Sequence, residues 1–177
     1  MTEKNWITDI ILQKLELKFD EKYQLEQGSK LIYAYEITEY KGTDSPKKPE
    51  PKRYETDILI SEYRNGNLYK PRVVIEVKKQ INTHEAIAYN QKAMNHKLTH
   101  PYLRYGILIR ESKGIPGRLS YHGNSFDFIF SWSDYNPKNN ELKDFVDLIK
   151  KELKNSEDIE TLGNSGKYMI HKNLIVK

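Results

Sequence analysis

One apolar stretch of this 177-residue sequence carries charged residues in its interior, and it constrains the possible folds more than any other stretch. Residues 72–80 read RVVIEVKKQ, and such a run of β-branched residues is typical of a strand. Because successive side chains of a strand point to opposite faces, Glu76, Lys78 and Gln80 share a face with Val74. One face of an otherwise apolar strand therefore turns polar midway, and the fold must provide partners for these charges.

A second carboxylate is expected beside the first. Residues 54–61 read YETDILIS and predict another strand, in which Asp57 precedes a run of apolar residues. The turn signal Asn65-Gly66 lies between the two runs and predicts a hairpin that brings Asp57 next to Glu76. Two carboxylates and an ammonium group on adjacent, half-buried strands repel or desolvate one another unless something pairs them, and a divalent cation with oxygen ligands does so.

The surrounding pattern predicts one α/β domain over residues 1–177. A capping box at Asn82 and Glu85 marks the start of its second helix, and a stretch rich in Pro and Lys reads as an exposed loop. The predicted order is α-β-β-β-α-β-β-α with a mixed sheet. The predicted elements are helices over 5–19, 84–98 and 140–154, strands over 31–37, 54–61, 70–79, 105–110 and 126–132, and loops over 42–53 and 114–123.

Asp57 is followed, after eighteen intervening residues, by Glu76-Val77-Lys78, within the order α-β-β-β-α-β. This combination resembles the PD-(D/E)XK nuclease superfamily, which includes restriction endonucleases, archaeal Holliday-junction resolvases and the nuclease domains of type I restriction subunits. The resemblance covers about residues 5–110. It implies a restriction-endonuclease-like αβββαβ core with a central mixed sheet flanked by helices, followed by a C-terminal extension over 111–177.

The resemblance also implies a role for each of the three charged residues. Asp57 and Glu76 would bind Mg²⁺, which Mn²⁺ would replace, and Lys78 would orient or activate the attacking water. Phosphodiester hydrolysis requires such a set: a metal that neutralises the non-bridging oxygens, a water of lowered pKa and a cation near the developing charge. The sequence departs from the family pattern at Thr56, where the family has Pro.

The second predicted helix adds a further catalytic candidate. Ile87, Gln91, Met94 and Leu98 fall at helical spacing, which predicts that Gln91 lies in the stripe facing the sheet. Many members of the family carry a Gln on this helix that points at the active site. A core Gln bonded to the backbone is an equal alternative, and Gln80 is a rival candidate for the same role. The family often adds one more acidic residue, for which the candidates are Glu3, Asp9, Glu16 and Glu36.

Charge suggests the class of partner. The formal net charge is +4 and the isoelectric point is near 9.0, which points weakly to a polyanion. Basic residues of this kind suit phosphate contacts, although on loops they could equally form a solubilising surface. The candidate DNA contacts are Lys47, Lys48, Lys52, Arg53, Lys92, Lys97, Arg104, Lys113 and Arg118.

Composition excludes several classes of protein. The chain has no Cys, which excludes a disulfide scaffold, a thiol nucleophile and a cysteine-ligated zinc site. No apolar run approaches the roughly 18 residues that a membrane span requires. The first residues have neither the cationic start nor the apolar core of a secretory signal, and we therefore expect a cytoplasmic protein.

These features predict a magnesium-dependent DNA endonuclease, most similar to a small type II restriction enzyme. It would act on double-stranded DNA as a homodimer, because one active centre cuts one strand and twofold symmetry duplicates it. The predicted dimer surface or specificity element is the C-terminal part of the chain: the strand over 126–132, the helix over 140–154 and the apolar tail over 168–176. The alternatives are a structure-selective or partner-dependent nuclease, such as a junction resolvase or a defence nuclease, and a catalytically silent nucleic-acid-binding module of the same fold.

Overall fold

A five-stranded mixed sheet flanked by helices organises the chain in the computed structural model, which describes residues 1–162. The elements in chain order are α1 (3–15), β1 (Tyr23–Gln27), β2 (Lys30–Ile37), β3 (Tyr40–Gly42), β4 (Ser45–Pro46), β5 (Pro49–Glu55), β6 (Ile58–Arg64), β7 (Asn67–Lys78), α2 (Thr83–Thr99), β8 (Arg104–Arg110), α3 (Gly117–His122), β9 (Phe128–Trp132) and α4 (Asn139–Leu162). The strand order is β1-β6-β7-β8-β9. Strands β1, β6 and β7 pair antiparallel, whereas β7, β8 and β9 pair parallel. The predicted α/β class with a central mixed sheet is confirmed.

The alternation along β7 separates two apolar cores, one on each side of the sheet. Val73, Ile75 and Val77 pack on the side covered by α1 and α4. Val74 packs on the opposite side, which α2 and α3 cover. Glu76, two residues further along, shares that second face, as the alternation predicts.

The turn and cap signals of the sequence are confirmed. Asn65 and Gly66 have φ angles of 52° and 75°, the left-handed values that a tight hairpin turn between β6 and β7 requires. Asn82 caps α2, and its side chain and that of Glu85 exchange bonds with each other's backbone N–H groups. Both signals are local, so they depend little on distant packing.

The prediction of a loop over 42–53 is wrong for β4 and for all residues from Pro49 onward. Residues from Pro49 onward form β5, which pairs antiparallel with β2 in a separate two-stranded sheet, and β3 and β4 lie beyond it as a second small pair. Among the described residues no other strand pairs with the outer edge of β5, and a Pro whose nitrogen lies on that edge removes no hydrogen bond between strands. Pro49 and Pro51 are therefore compatible with this strand. The predicted strand 54–61 is correspondingly interrupted at Thr56 and Asp57.

Other boundaries differ from the predicted ones. Strand β1 and helix α3 were not predicted, and α3 lies inside the loop predicted over 114–123. Helix α1 ends at Leu15 instead of 19, and its middle turn, Ile7–Ile11, is π-helical. Helix α4 extends to Leu162 instead of 154. The predicted tail over 168–176 lies outside the described residues.

Helix α2 holds the β2–β5 sheet through backbone carbonyls. The ring Nε2 atoms of His96 and His100 lie 3.2 and 2.9 Å from the carbonyl oxygens of Leu31 and Ile32, and the Thr99 hydroxyl donates to the carbonyl of Tyr33 at 2.5 Å. Burial lowers the pKa of His96 to about 4, so this ring is neutral at pH 7. The second sheet is therefore attached to the domain core by directional bonds.

A buried ion network joins the β6–β7 hairpin to the end of α4. The Arg72 guanidinium is 1% exposed, and its Nη2 lies 2.5 Å from Glu62 Oε2 and 2.6 Å from Glu160 Oε2. Its Nη1 donates to the Ser156 hydroxyl at 3.4 Å. A buried guanidinium needs such paired acceptors, because an uncompensated charge here would cost several kcal/mol, about 3–5. No helix within residues 1–162 is long and apolar enough to cross a membrane.

Gly106 of β8 lies against the ring of Phe128 of β9, so a substitution of Gly106 tests how these two strands pack. A methyl group on Gly106 would come within 2.3 Å of the Phe128 ring. We therefore expect Gly106→Ala to destabilise the fold by about 1–3 kcal/mol, as overpacking does. Phe128→Leu in the same chain should recover part of this stability, and the control Gly117→Ala, at an exposed helix start, should not destabilise. Urea unfolding followed by circular dichroism measures all three, and equal midpoints for Gly106→Ala and the wild type would contradict the packing described.

Candidate active site

Asp57 lies where the chain passes from the small β2–β5 sheet into the central sheet. The preceding residue, Thr56, is buried, and its backbone N–H and its hydroxyl both donate to the carbonyl of Ser29, at 2.9 and 3.0 Å. The carbonyl of Asp57 accepts from Gly28 N–H at 3.4 Å. Its carboxylate Oδ2 accepts from the backbone N–H of Val77 at 2.8 Å. Asp57 is thus bonded to the residue directly after Glu76, as the hairpin predicted.

Glu76 is the most deeply buried acid of this site, with 1% of its surface exposed. Its Oε1 accepts a short hydrogen bond from the Tyr105 hydroxyl of β8 and lies 2.7 Å from the Lys92 ammonium of α2. Burial raises the pKa of Glu76 to about 7, with Lys92 opposing the shift and the Asp57 charge adding to it. Near neutral pH this carboxyl is therefore present in both its protonated and its ionised form.

Lys78 stays protonated in this environment. Its Nζ lies 3.0 Å from Glu3 Oε2, 3.9 Å from Asp57 Oδ2 and 4.7 Å from the centre of the Tyr89 ring. Burial by itself would lower the pKa of Lys78, but Tyr89, Asp57 and Glu3 more than offset it and hold the pKa above its ordinary value. The side chain can therefore donate hydrogen bonds and stabilise negative charge, but it cannot accept a proton near pH 7.

Glu3 is the acidic residue that the first helix contributes. It lies in the first turn of α1, where its Oε1 accepts from the backbone N–H of Lys79 at 3.1 Å while Oε2 pairs with Lys78. The other three acidic candidates do not reach the site: Asp9 and Glu16 are exposed, and Glu36 pairs with Lys52 in the small sheet. Helical spacing alone did not distinguish these candidates.

The prediction that Gln91 faces the sheet is wrong. Its side chain is exposed and donates from Nε2 to Asn95 Oδ1 at 2.8 Å. Ile87, Met94 and Leu98 of the predicted stripe are exposed as well. The rival candidate, Gln80, is also exposed, just beyond the end of β7.

A different face of α2 meets the sheet, because the helix must approach closely enough to bond the carbonyls of β2. Ala86 and Ala93 permit this approach, and Tyr89, Lys92 and His96 lie on the same side. Tyr89 and Tyr105 are site residues that sequence reasoning missed, and Lys92, predicted as a DNA contact, pairs with Glu76. The usable signal was the spacing of Ala86, Tyr89, Ala93 and His96 at i, i+3, i+7 and i+10.

Most of the cations predicted to contact DNA have partners within the protein. Lys92 belongs to the site itself, where it pairs with Glu76 and donates to the carbonyl of Glu55. Lys48, Arg53 and Lys113 are exposed, and Arg53 Nη1 donates to the carbonyl of Pro51 at 3.5 Å. The internal partners of the others are Glu39 for Lys47, Glu36 for Lys52, Asp127 for Lys97, Asp127 and Glu152 for Arg104, and the carbonyl of Ile81 for Arg118.

The donor set fits a hard divalent cation. Asp57, Glu76 and Glu3 supply carboxylate oxygens, which Mg²⁺ and Mn²⁺ prefer. Within residues 1–162, however, no three His, Asp or Glu side chains converge as a ready metal cluster, and the ammonium groups of Lys78 and Lys92 contact these carboxylates. Asp57 and Glu76, whose charges repel each other, would hold the cation, whereas Glu3 is engaged with the Lys78 ammonium and the Lys79 backbone N–H.

Comparisons with known proteins do not identify a family for the chain, so its function is inferred from the geometry of the site. Neither a scan against models of protein families nor a search of curated proteins finds a match for the chain.

The raised pKa of Glu76 predicts how the free energy of unfolding depends on pH when divalent cations are removed. The folded state holds this proton up to about pH 7, whereas the ordinary pKa is 4.5, so the free energy of unfolding should fall as pH rises between these values. Glu76→Gln removes the titrating carboxyl and with it this pH dependence. Between pH 4.5 and 8, the free energy of unfolding of the wild type should therefore fall by up to about 3 kcal/mol relative to that of the variant. Urea unfolding in EDTA at several pH values measures the difference.

The matched control is Glu16→Gln, which changes an exposed glutamate outside the site. Its stability should follow the wild type at every pH. Parallel curves for Glu76→Gln and the wild type would show that Glu76 titrates at its ordinary value and is not buried as described.

Proposed function

We propose that the protein is a magnesium-dependent endonuclease that hydrolyses phosphodiester bonds of double-stranded DNA. The observation that carries the proposal is the convergence of Asp57, which directly precedes β6, with Glu76 and Lys78 of the neighbouring strand β7. Asp57 is bonded to the backbone between the other two residues. The order of the central sheet supports the proposal. The predicted first strand, 31–37, is wrong in its place, because it forms β2 of the small sheet and β1 takes that position in the central sheet. With β2–β5 inserted between β1 and β6, the remaining elements α1, β1, β6, β7, α2 and β8 follow the αβββαβ order that the resemblance to PD-(D/E)XK nucleases implies.

Each side chain has a task that its surroundings favour. Asp57 and Glu76 would hold Mg²⁺, which supplies charge neutralisation and a bound water of lowered pKa. The Lys78 ammonium, which stays protonated, donates hydrogen bonds that orient the water and stabilise negative charge on the phosphate. Glu3 positions Lys78 by pairing with it at 3.0 Å.

Lys92 and Tyr105 are positioning residues in this proposal. Both contact Glu76 Oε1, and Lys92 favours the ionised carboxylate by lowering its pKa. An ionised Glu76 is the form that a divalent cation requires. The second bond of Lys92, to the carbonyl of Glu55, connects Glu76 to the chain just before Asp57.

One observation favours a second candidate, a nucleic-acid-binding module without chemistry. The ammonium groups of Lys78 and Lys92 already compensate the carboxylates in the structure. Such a module would bind DNA and leave it intact. A nuclease selective for branched DNA, or one that needs a partner, differs from the main proposal only in its substrate.

Nicking of supercoiled plasmid tests the proposed function. We expect the wild type to nick in Mg²⁺ or Mn²⁺ and to be inactive in EDTA. Asp57→Asn, Glu76→Gln and Lys78→Met should each reduce activity by at least about 100-fold, because each removes a charge that the chemistry requires. The control Asp9→Asn changes an exposed carboxylate of α1 and should retain full activity.

The possible outcomes separate the candidates. Full nicking by Asp57→Asn or Glu76→Gln, with melting curves that show a folded protein, would remove this site from the chemistry. DNA binding by the wild type without nicking in either metal would favour the silent module. Cuts confined to branched substrates would indicate a junction-selective nuclease, whereas discrete bands from linear duplex DNA would indicate sequence specificity. Sedimentation of the protein with a palindromic duplex would test the proposed homodimer.

A further inference from the structure

Arg110 ends β8, and one of its side-chain donors is buried. Its Nε is buried and has no hydrogen-bond partner among residues 1–162. The guanidinium lies over the ring of Tyr135, with Cζ 4.5 Å from the ring centre. Buried polar groups almost always have hydrogen-bond partners, so such a group needs an explanation, and a missing ligand is one.

The side chain lines a small pocket beside the candidate active site. The pocket has a volume of about 260 Å³ and is lined by Glu3, Lys79, Gln80, Arg110 and Tyr135. Glu3 also pairs with Lys78, so one residue belongs to both the pocket and the site.

A wider groove of about 610 Å³ shares Gln80 with this pocket and continues past Asn82, Lys113 and Arg118. The two cavities therefore lie along the ends of β7 and β8.

The wall of the pocket is held in place by the core. The backbone carbonyl of Tyr135 accepts from Trp6 Nε1 at 2.8 Å, and the two rings meet edge to face with centres 5.5 Å apart. Trp6 is fully buried. The aromatic surface under Arg110 is therefore preorganised, which orients the planar guanidinium before any ligand arrives.

The chemistry of the lining favours an anion. Arg110 and Lys79 are cations, and the Gln80 amide supplies further donors. The one acid, Glu3, is already engaged with the Lys78 ammonium and the Lys79 backbone N–H. The Lys79 ammonium donates to the carbonyl of Met1 at 3.1 Å and keeps other donors available. An arginine fork with a neighbouring ammonium matches a phosphate group.

We propose that this pocket binds a phosphate of the nucleic-acid strand, adjacent to the phosphodiester that would be cleaved at the site of Asp57, Glu76 and Lys78. The proposal rests on the proposed function, because the strand is identified by the site that the pocket adjoins. The phosphate can be an internal phosphodiester or a terminal 5′-phosphate, which share the same chemistry. Arg110 would then fix the position of the strand relative to Lys78.

Salt-dependent binding of labelled duplex DNA without divalent cations tests the pocket separately from the chemistry. Each phosphate that a protein cation neutralises adds about 0.9 to the slope of log K against log salt. We expect Arg110→Gln to reduce the slope by about this amount and to weaken binding by about tenfold or more. Arg110→Lys, which keeps the charge but not the fork, should retain the slope and still bind less tightly. The control Lys150→Gln removes one exposed cation of α4 and should leave both unchanged.

Two further measurements identify the source of the phosphate and guard against misfolding. If the pocket takes a terminal phosphate, Arg110→Gln should weaken binding only to 5′-phosphorylated duplex; if it takes an internal one, binding to phosphorylated and unphosphorylated duplexes should weaken equally. Inorganic phosphate should raise the melting temperature of the wild type and not that of Arg110→Gln. Circular dichroism melts establish that each variant is folded.

The outcomes for the pocket and for the proposed function are distinct. A wild type that nicks plasmid, together with an Arg110→Gln variant of unchanged slope, overturns the pocket and leaves the function. A wild type that never nicks, but whose slope falls in Arg110→Gln, removes the function and leaves the pocket as a nucleic-acid phosphate site. Equal phosphate stabilisation of the wild type and the variant also overturns the pocket.

Discussion

The carboxylate of Glu76, buried in the middle of the central sheet, is the constraint around which the neighbouring elements are arranged. Removing an ionised carboxylate from water is costly unless charged and hydrogen-bonding partners replace the solvent. Here α2 supplies Lys92 and β8 supplies Tyr105, so the two elements on either side of the β7 end are joined at one oxygen. The same need explains why α2 presents Lys92, instead of its exposed apolar stripe, to the sheet.

The small β2–β5 sheet is part of this arrangement. It is bonded to α2 by three backbone carbonyls of β2, and its second strand ends directly before Thr56 and Asp57. The carbonyl of Glu55, at the end of β5, accepts from Lys92. Polar contacts of α2 therefore connect the small β2–β5 sheet to Glu76 and to the chain just before Asp57. A displacement of this sheet would move Asp57 relative to Glu76.

The charge balance of the site bears on the proposed chemistry. Two ammonium groups contact the carboxylates, so the protein without a metal is locally compensated, and the raised pKa of Glu76 marks the residual cost of burial. Arg110, beyond the compensated cluster, has a donor with no partner among the described residues. The proposed nucleic-acid phosphate would supply a partner for this donor.

The sequence by itself determined the alternation of β7, the turn at Asn65-Gly66 and the cap at Asn82, because each depends on residues close together in the chain. It thereby placed Asp57 next to Glu76 and indicated the α/β class. Only the tertiary structure decided that Glu3 reaches Lys78 while Asp9 does not, and that Lys92 instead of Gln91 faces the sheet. It also decided which cations are paired internally. Local periodicity specifies which residues share a face, but the partner of that face depends on packing between elements that are far apart in sequence.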